Sequence, residues 1–133
     1  MPHRFYALVA ARAVHLCEYC LTPEYLSPLE FPVDRIQPGS RGGPDTADNL
    51  ALACPACNVF KGNATVARDP QSESIVRLYH PRLDVWGDHF QVNLDSLEIA
   101  GRTAIGRATV QRLRMNRDQA KLSRTHWLPD NDE

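Results

Sequence analysis

Four cysteines form two Cys-x-x-Cys pairs, Cys17 with Cys20 and Cys54 with Cys57. Each pair can clamp one side of a tetrahedral zinc ion, and a shell of four thiolates leaves no position open for water or substrate. We therefore expect a zinc ion that organises structure and takes no part in catalysis. Two disulfides or a redox-active pair are the alternatives. A redox pair would need a βαβ pattern, which the sequence lacks, so zinc is favoured.

Short elements must position these cysteines. Residues 4–16 lack Gly and Pro and are rich in Ala, Leu and Arg, which predicts a helix leading into the first pair. Residues 29–36 predict a strand that Pro32 confines to an edge or an irregular position. A second strand is predicted at 50–53, running into the second pair, and a short helix at 58–66. The core pattern is thus strand, long loop, strand, cysteine pair, helix.

Beyond residue 70 the pattern changes to short strands followed by helices. Strands are predicted at residues 75–79, 90–93 and 97–99. Thr103 is predicted to cap a helix that runs to about Arg114. Asn116, with Gln119 three residues later, resembles a capping box and predicts a second short helix.

Composition and length are typical of one globular domain: 133 residues, 43% hydrophobic and 23% charged. We expect residues 1–133 to form that domain, with a core at about 17–66 and an extension at about 70–128. No apolar run approaches the roughly 20 residues that cross a bilayer. The apolar stretch 5–11 is too short for a signal peptide, and Arg12 interrupts it. We expect a cytoplasmic protein with no membrane partner, where reduced thiols favour metal binding.

Several motifs follow one another between and after the cysteine pairs: Phe31-Pro32-Val33-Asp34-Arg35-Ile36-Gln37-Pro38, Arg41-Gly42-Gly43, Asp48-Asn49-Leu50 and Cys57-Asn58-Val59-Phe60-Lys61-Gly62. They resemble the HNH, or ββα-metal, endonuclease family. That family has an Asp/Glu-His pair on its first strand, a Gly-Gly loop, an Asp-Asn-Leu turn and a Cys-Asn-x-x-Lys helix start. The resemblance covers about residues 17 to 63. It implies an α+β fold with a zinc-stapled ββα core, flanking helices and a short β-hairpin.

The resemblance also implies a second, catalytic metal site. Asp34 would be a carboxylate ligand of a divalent cation, Asn58 would supply a second oxygen, and Asn49 would pin the long loop through side-chain hydrogen bonds. Magnesium or manganese prefers such oxygen ligands and can stabilise the charge on a scissile phosphate. The simpler alternatives are a helix-capping role for Asn58 and a solvated carboxylate for Asp34.

Arg35 departs from the family, which has a general-base histidine at this position. Arginine stays protonated and has no acceptor lone pair, so it cannot take a proton from water. A missing general base typically costs roughly 100- to 10,000-fold in rate. Three interpretations follow. Arg35 holds a phosphate while a histidine elsewhere in the chain acts as the base. Alternatively, the metal alone supports a slow enzyme, or Arg35 marks a protein that has lost catalysis. His80 and His89 are the candidate substitutes, with packing or surface roles as the alternative.

Positive charge is concentrated near the C-terminus. Seven basic residues and one acidic residue lie between Arg102 and Arg124, in a chain whose formal net charge is −1. Such segregation suits contact with a phosphate backbone, although a solvated helix face has the same pattern. The candidate nucleic-acid contacts are Arg41, Lys61, Arg107, Arg112 and Arg114.

Together these features predict an endonuclease that uses a divalent metal to hydrolyse phosphodiester bonds in DNA, with RNA as the other possible partner. The candidate residues of its site are Asp34, Arg35, Asn49 and Asn58. A zinc-organised nucleic-acid-binding module that has lost the chemistry is the main alternative. A zinc knuckle used only for protein contact is the third.

Overall fold

Short helices alternate with antiparallel strand pairs along residues 3–129, the part of the chain that the computed structural model describes. In chain order the elements are α1 (Tyr6–Arg12), β1 (Val33–Arg35), β2 (Leu50–Leu52), α2 (Pro55–Lys61), β3 (Val66–Arg68), β4 (Ile75–Arg77), α3 (Trp86–His89), β5 (Phe90–Val92), β6 (Ile99–Gly101), α4 (Ala104–Arg112) and α5 (Asp118–Trp127). The strands pair as β1 with β2, β3 with β4 and β5 with β6. This mixture confirms the predicted α+β class. None of the described helices is long and apolar enough to cross a membrane.

The β1–β2 pair and α2 form the ββα unit. Asp34 lies opposite Ala51 in the ladder, and all three residues of β2 are buried. The helix α2 begins at Pro55, whose fixed φ and missing N–H suit the first helical position. It ends before Gly62, which has a φ of +54°. The helix predicted at 58–66 is therefore real but begins and ends earlier.

One apolar core joins the ββα unit to the later elements. Its most deeply buried side chains include Val9, Leu50, Leu52, Phe90, Ile99 and Leu113. The ring of Phe90 lies 5.1 Å from that of Tyr79 and 5.0 Å from that of Trp86. Gly106 lets α4 pack closely, because a side chain there would collide with the His89 carbonyl. The extension is thus packed onto the ββα unit and shares its core.

A cap and a tertiary hydrogen-bonding contact help to position the C-terminal helices. The Thr103 hydroxyl accepts the Gly106 N–H at 3.0 Å, which confirms the predicted cap of α4. The Asn116 side chain instead accepts the Ile99 N–H at 2.8 Å and donates to the Ile99 carbonyl at 2.9 Å. The capping box predicted at Asn116 is therefore wrong, because its amide is bonded to β6 and α5 begins only at Asp118.

Candidate functional site

The four cysteine sulfur atoms lie within 4.8 Å of one another, and all four side chains are buried. Cys20 Sγ and Cys54 Sγ are 3.7 Å apart, far longer than a disulfide bond, and close to the edge of about 3.8 Å that Zn–S bonds of about 2.3 Å give in a tetrahedron. The backbone N–H groups of Cys20 and Cys57 point at Cys17 Sγ (3.5 Å) and Cys54 Sγ (3.4 Å). This donor set fits a structural zinc ion.

Asp34 is held inside the ββα unit, with only 5% of its surface exposed. The Tyr19 hydroxyl donates to Oδ2 at 2.8 Å, and Lys61 Nζ lies 3.2 Å from the same oxygen. Burial raises the pKa of Asp34, while the Lys61 ammonium and the Tyr19 hydroxyl lower it. Lys61 is itself 1% exposed and donates to the carbonyls of Arg35 (3.2 Å) and Ile36 (3.0 Å). Lys61 therefore connects α2 to β1 inside the protein. Its ammonium does not reach the surface, so it is not placed to make the predicted contact with a phosphate.

Breaking the ion pair between Lys61 and Asp34 should lower the free energy of unfolding substantially. Replacing Lys61 by methionine leaves a carboxylate buried without its cation, and we expect a loss of about 3–5 kcal/mol in the free energy of unfolding. Adding Asp34→Asn should recover part of that loss. Urea unfolding followed by circular dichroism measures both. Lys121→Met, at the other lysine of the chain, is the control and should cost far less; equal losses at the two lysines would refute the buried-pair argument.

Asn58 lies in the middle of α2, three residues before Lys61, so the two side chains share one face of the helix. Because Lys61 contacts Asp34, this face is turned towards β1. Cys54, and not Asn58, is the N-cap residue of the helix. Within residues 3–129 the half-buried Asn58 side chain has no hydrogen-bond partner. The capping alternative is thus excluded, and the amide is free to bind another group.

Asn49 fastens the long loop between β1 and β2. Its Nδ2 donates to the carbonyls of Gln37 (3.0 Å) and Pro44 (2.8 Å), and its Oδ1 accepts the Gln37 N–H at 2.9 Å. Gly43 is required in this loop, because a side chain there would collide with the Gln37 carbonyl. With every one of these contacts made to backbone, Asn49 positions the loop and is not itself aimed at a substrate.

Residues 17–64 match the family model of the HNH endonuclease. This segment is an HNH-type domain. The match begins at the first zinc-type cysteine and ends just after α2, so it takes in the whole ββα unit. Neither the curated proteins nor the solved structures gave a match.

Arg35 lies next to Asp34 on β1 of the HNH domain, and its side chain is 43% exposed. Its Nε is 3.6 Å from Asp45 Oδ1 in the loop. The same carboxylate oxygen is 2.8 Å from His3 Nε2, whose other ring nitrogen accepts the Phe5 N–H at 3.0 Å. Sequence reasoning missed this histidine, because nothing in the pattern links residue 3 to the loop. Both nitrogens of His3 are occupied, so it anchors the N-terminal segment to the HNH domain.

The two histidines considered as substitute bases have different surroundings. His80 lines a cavity of about 180 Å³ that Lys61 also lines. Burial lowers the pKa of His80, and its Nδ1 accepts the Arg82 N–H at 3.2 Å. His89 instead has its Nδ1 2.6 Å from the Thr103 hydroxyl. The structure thus brings His80, and not His89, to the side of the HNH domain that contains Lys61.

Arg107, a predicted nucleic-acid contact, is engaged inside the protein. Its Nε and Nη2 donate to the two oxygens of Asp69, each at 2.9 Å, and these bonds lower the pKa of Asp69. Asp69 is fully buried and also accepts the Ser72 hydroxyl at 2.6 Å. Arg107 therefore holds the β3–β4 turn against α4. The other predicted arginine contacts, Arg41, Arg112 and Arg114, are exposed.

Proposed function

We propose that this protein is a divalent-metal-dependent endonuclease that hydrolyses phosphodiester bonds in DNA, built around a structural zinc ion held by its four cysteines. The observation that carries the proposal is that the face of α2 bearing Asn58 and Lys61 is turned towards Asp34. This lysine shares a helix face with Asn58 and contacts the Asp34 carboxylate. Asp34 and Asn58 would hold magnesium or manganese, which prefer oxygen ligands. Such an ion supplies charge stabilisation to the scissile phosphate and the departing oxygen.

The residues around that site would divide the remaining work. Asp34 would exchange the Lys61 ammonium for the cation, while Lys61 keeps its bonds to two backbone carbonyls. Arg35, always charged and partly exposed, would hold a phosphate oxygen. The proton of the attacking water needs a different acceptor. His80 is the candidate, because its ring lines the same cavity as Lys61.

A nucleic-acid-binding module without hydrolysis is the second candidate. The Asp34–Lys61 pair favours it, since a lysine ammonium already neutralises the carboxylate that would bind the metal. Arg35 favours it too, because a guanidinium attracts phosphate but accepts no proton.

Nicking of supercoiled plasmid in the presence of magnesium or manganese tests the proposal. The variant Asn58→Ala removes a proposed ligand without breaking the buried ion pair. We expect it to lower the nicking rate by about 100-fold or more, because even residues that only support a metal site contribute about 10- to 100-fold. Asn63→Ala, the same change five residues further on, is the matched control and should nick like the wild type.

The results distinguish the candidate functions. Wild-type protein with one zinc ion per chain that binds DNA but nicks it with neither metal would contradict the endonuclease and favour the binding module. Equal nicking by wild type and Asn58→Ala would point to a contaminating nuclease and contradict the assignment of Asn58. Protein that binds neither DNA nor RNA of the same length would leave only a role in protein contact.

A further inference from the structure

Two arginines from the connection between α4 and α5 lie over one aromatic ring of the HNH domain. The guanidinium carbons of Arg114 and Arg117 are 4.8 Å and 5.7 Å from the centroid of the Phe60 ring. Guanidinium groups over a ring face are attracted by its quadrupole, which restricts their motion. Arg114 is exposed and Arg117 is half-buried, so both keep donors available to solvent.

Two further arginines surround the same end of α2. Arg112 donates from Nε to the Phe60 carbonyl at 3.0 Å and from Nη2 to the Lys61 carbonyl at 3.3 Å. Arg41, on the long loop, donates from Nε to the Asn63 carbonyl at 3.1 Å. Each of these guanidinium groups has five N–H donors, so most of them remain unused. We call this region the arginine surface; it consists of Arg41, Arg112, Arg114 and Arg117 around Phe60.

The arginine surface differs in its charge balance from most of the other arginines. Within residues 3–129, no carboxylate lies within ion-pair distance of any of its four guanidinium groups. By contrast, Arg35, Arg68, Arg77 and Arg107 each contact an Asp or Glu. In a chain of net charge −1, four uncompensated positive charges in one place are a local excess. The complementary partner is a polyanion.

We propose that the arginine surface binds the phosphate backbone of duplex DNA as a second contact beside the nuclease site; the inference rests on the proposed function for the choice of partner. Guanidinium groups pair with phosphate oxygens through two parallel bonds, which suits a surface of arginines. Three of its four arginines follow residue 64, beyond the family match, so the extension would supply most of this contact.

The location is compatible with one duplex touching both places. Phe60 follows Asn58 by two residues, which puts it about 200° further around α2 at about 100° per residue. At that angle the arginine surface lies almost on the opposite side of α2 from Asn58. The two places are connected around the C-terminal end of the helix. A helix with its side chains is only about 10–12 Å wide, and phosphates recur about every 3.4 Å along each DNA strand. A duplex seated at that end can reach both.

Fluorescence anisotropy of a labelled duplex of about 20 base pairs, titrated without added divalent metal at several salt concentrations, tests the proposal. Arg114→Gln and Arg117→Gln should each weaken binding about 8-fold near 0.1 M salt, and the double variant about 60-fold. Each lost phosphate contact should also make the plot of log K against log salt shallower by about 0.9. Arg41→Gln, on a different element, should behave like either single variant.

Arg102→Gln is the matched control. Arg102 is exposed and lies before α4, whereas Arg112 ends that helix, so the two are separated by about 15 Å along the axis. We expect this variant to bind within twofold of the wild type. Zinc content and the thermal midpoint of each variant show that it is folded. Arginine-surface variants that bind with the wild-type affinity and salt slope would overturn the proposal.

Three other outcomes separate this inference from the proposed function. Wild-type protein that binds the duplex through these arginines but never nicks it would support the arginine surface and contradict the endonuclease. Wild-type protein that binds polyglutamate or phosphatidylserine vesicles but not the duplex would overturn the arginine surface as a DNA contact. Nicking that survives in the double variant with unchanged DNA affinity would also overturn it, while leaving the endonuclease intact.

Discussion

Replacing Cys57 by serine should leave the protein without zinc and without a folded core at 25 °C. All four thiols are buried, and their sulfur atoms lie within 4.8 Å of one another. Replacing a missing thiolate ligand with water would therefore carry a large free-energy cost. Structural zinc contributes about 10–16 kcal/mol of apparent binding free energy in small zinc-finger peptides. Whole domains are stable by only about 5–15 kcal/mol. The free energy lost with the ion should therefore exceed the folding stability that the small apolar core provides.

Zinc content by mass spectrometry of metals and thermal melts followed by circular dichroism measure this effect. Thr22→Val is the control: it removes a hydroxyl 3.1 Å from Cys20 Sγ but keeps all four thiolates, so it should stay folded with one zinc ion. Treating wild-type protein with a strong zinc chelator should reproduce the Cys57→Ser result. A zinc-free Cys57→Ser protein that melts at the wild-type temperature would show that the metal does not hold this fold.

The features that could be predicted from the sequence are those that depend on local spacing. Each Cys-x-x-Cys pair supplies two thiolates within four residues, and two pairs complete a tetrahedral zinc site, so the cluster followed from their number and type. The cap of α4 was equally local, since Thr103 bonds a group three residues away. The helix predicted at 4–16 was too long, because its end is not encoded by a local signal such as Gly or Pro. The chain leaves the helix after Arg12, with Val14 and His15 at positive φ, and His15 then bonds Glu24 at 2.7 Å.

The partners of charged side chains could not be predicted in the same way. Lys61 and Arg107 read as surface cations in the sequence, yet their carboxylates lie 27 and 38 residues away along the chain. Val66, the last residue of the helix predicted at 58–66, belongs instead to β3, where it pairs with Arg77 of β4. Whether a basic residue has a carboxylate beside it, as Lys61 and Arg107 do, or has none, as in the arginine surface, is thus decided by the fold and not by the composition.

Arg35→His should raise the rate of plasmid nicking by up to about 100- to 10,000-fold, the usual contribution of a positioned general base, less whatever His80 already contributes in the wild type. The site is suited to it in three respects. The residue is next to Asp34 on β1, its side chain is 43% exposed, and Asp45 Oδ1 lies 3.6 Å from the present Nε. A carboxylate at that distance can orient an imidazole, so that its other nitrogen presents a lone pair to water. Arginine has no such lone pair.

Arg35→Gln is the control, because it removes the same positive charge without supplying a base. If the gain comes from proton transfer, the histidine variant should exceed both the wild type and Arg35→Gln under single-turnover conditions. Its rate should also rise with pH through about 6.5, where an imidazole loses its proton, while that of Arg35→Gln should not. Equal rates and equal pH profiles for the two variants would mean that charge removal alone acts. The water would then be activated by another group, and His80→Ala, which removes the ring beside Lys61, should abolish what activity remains.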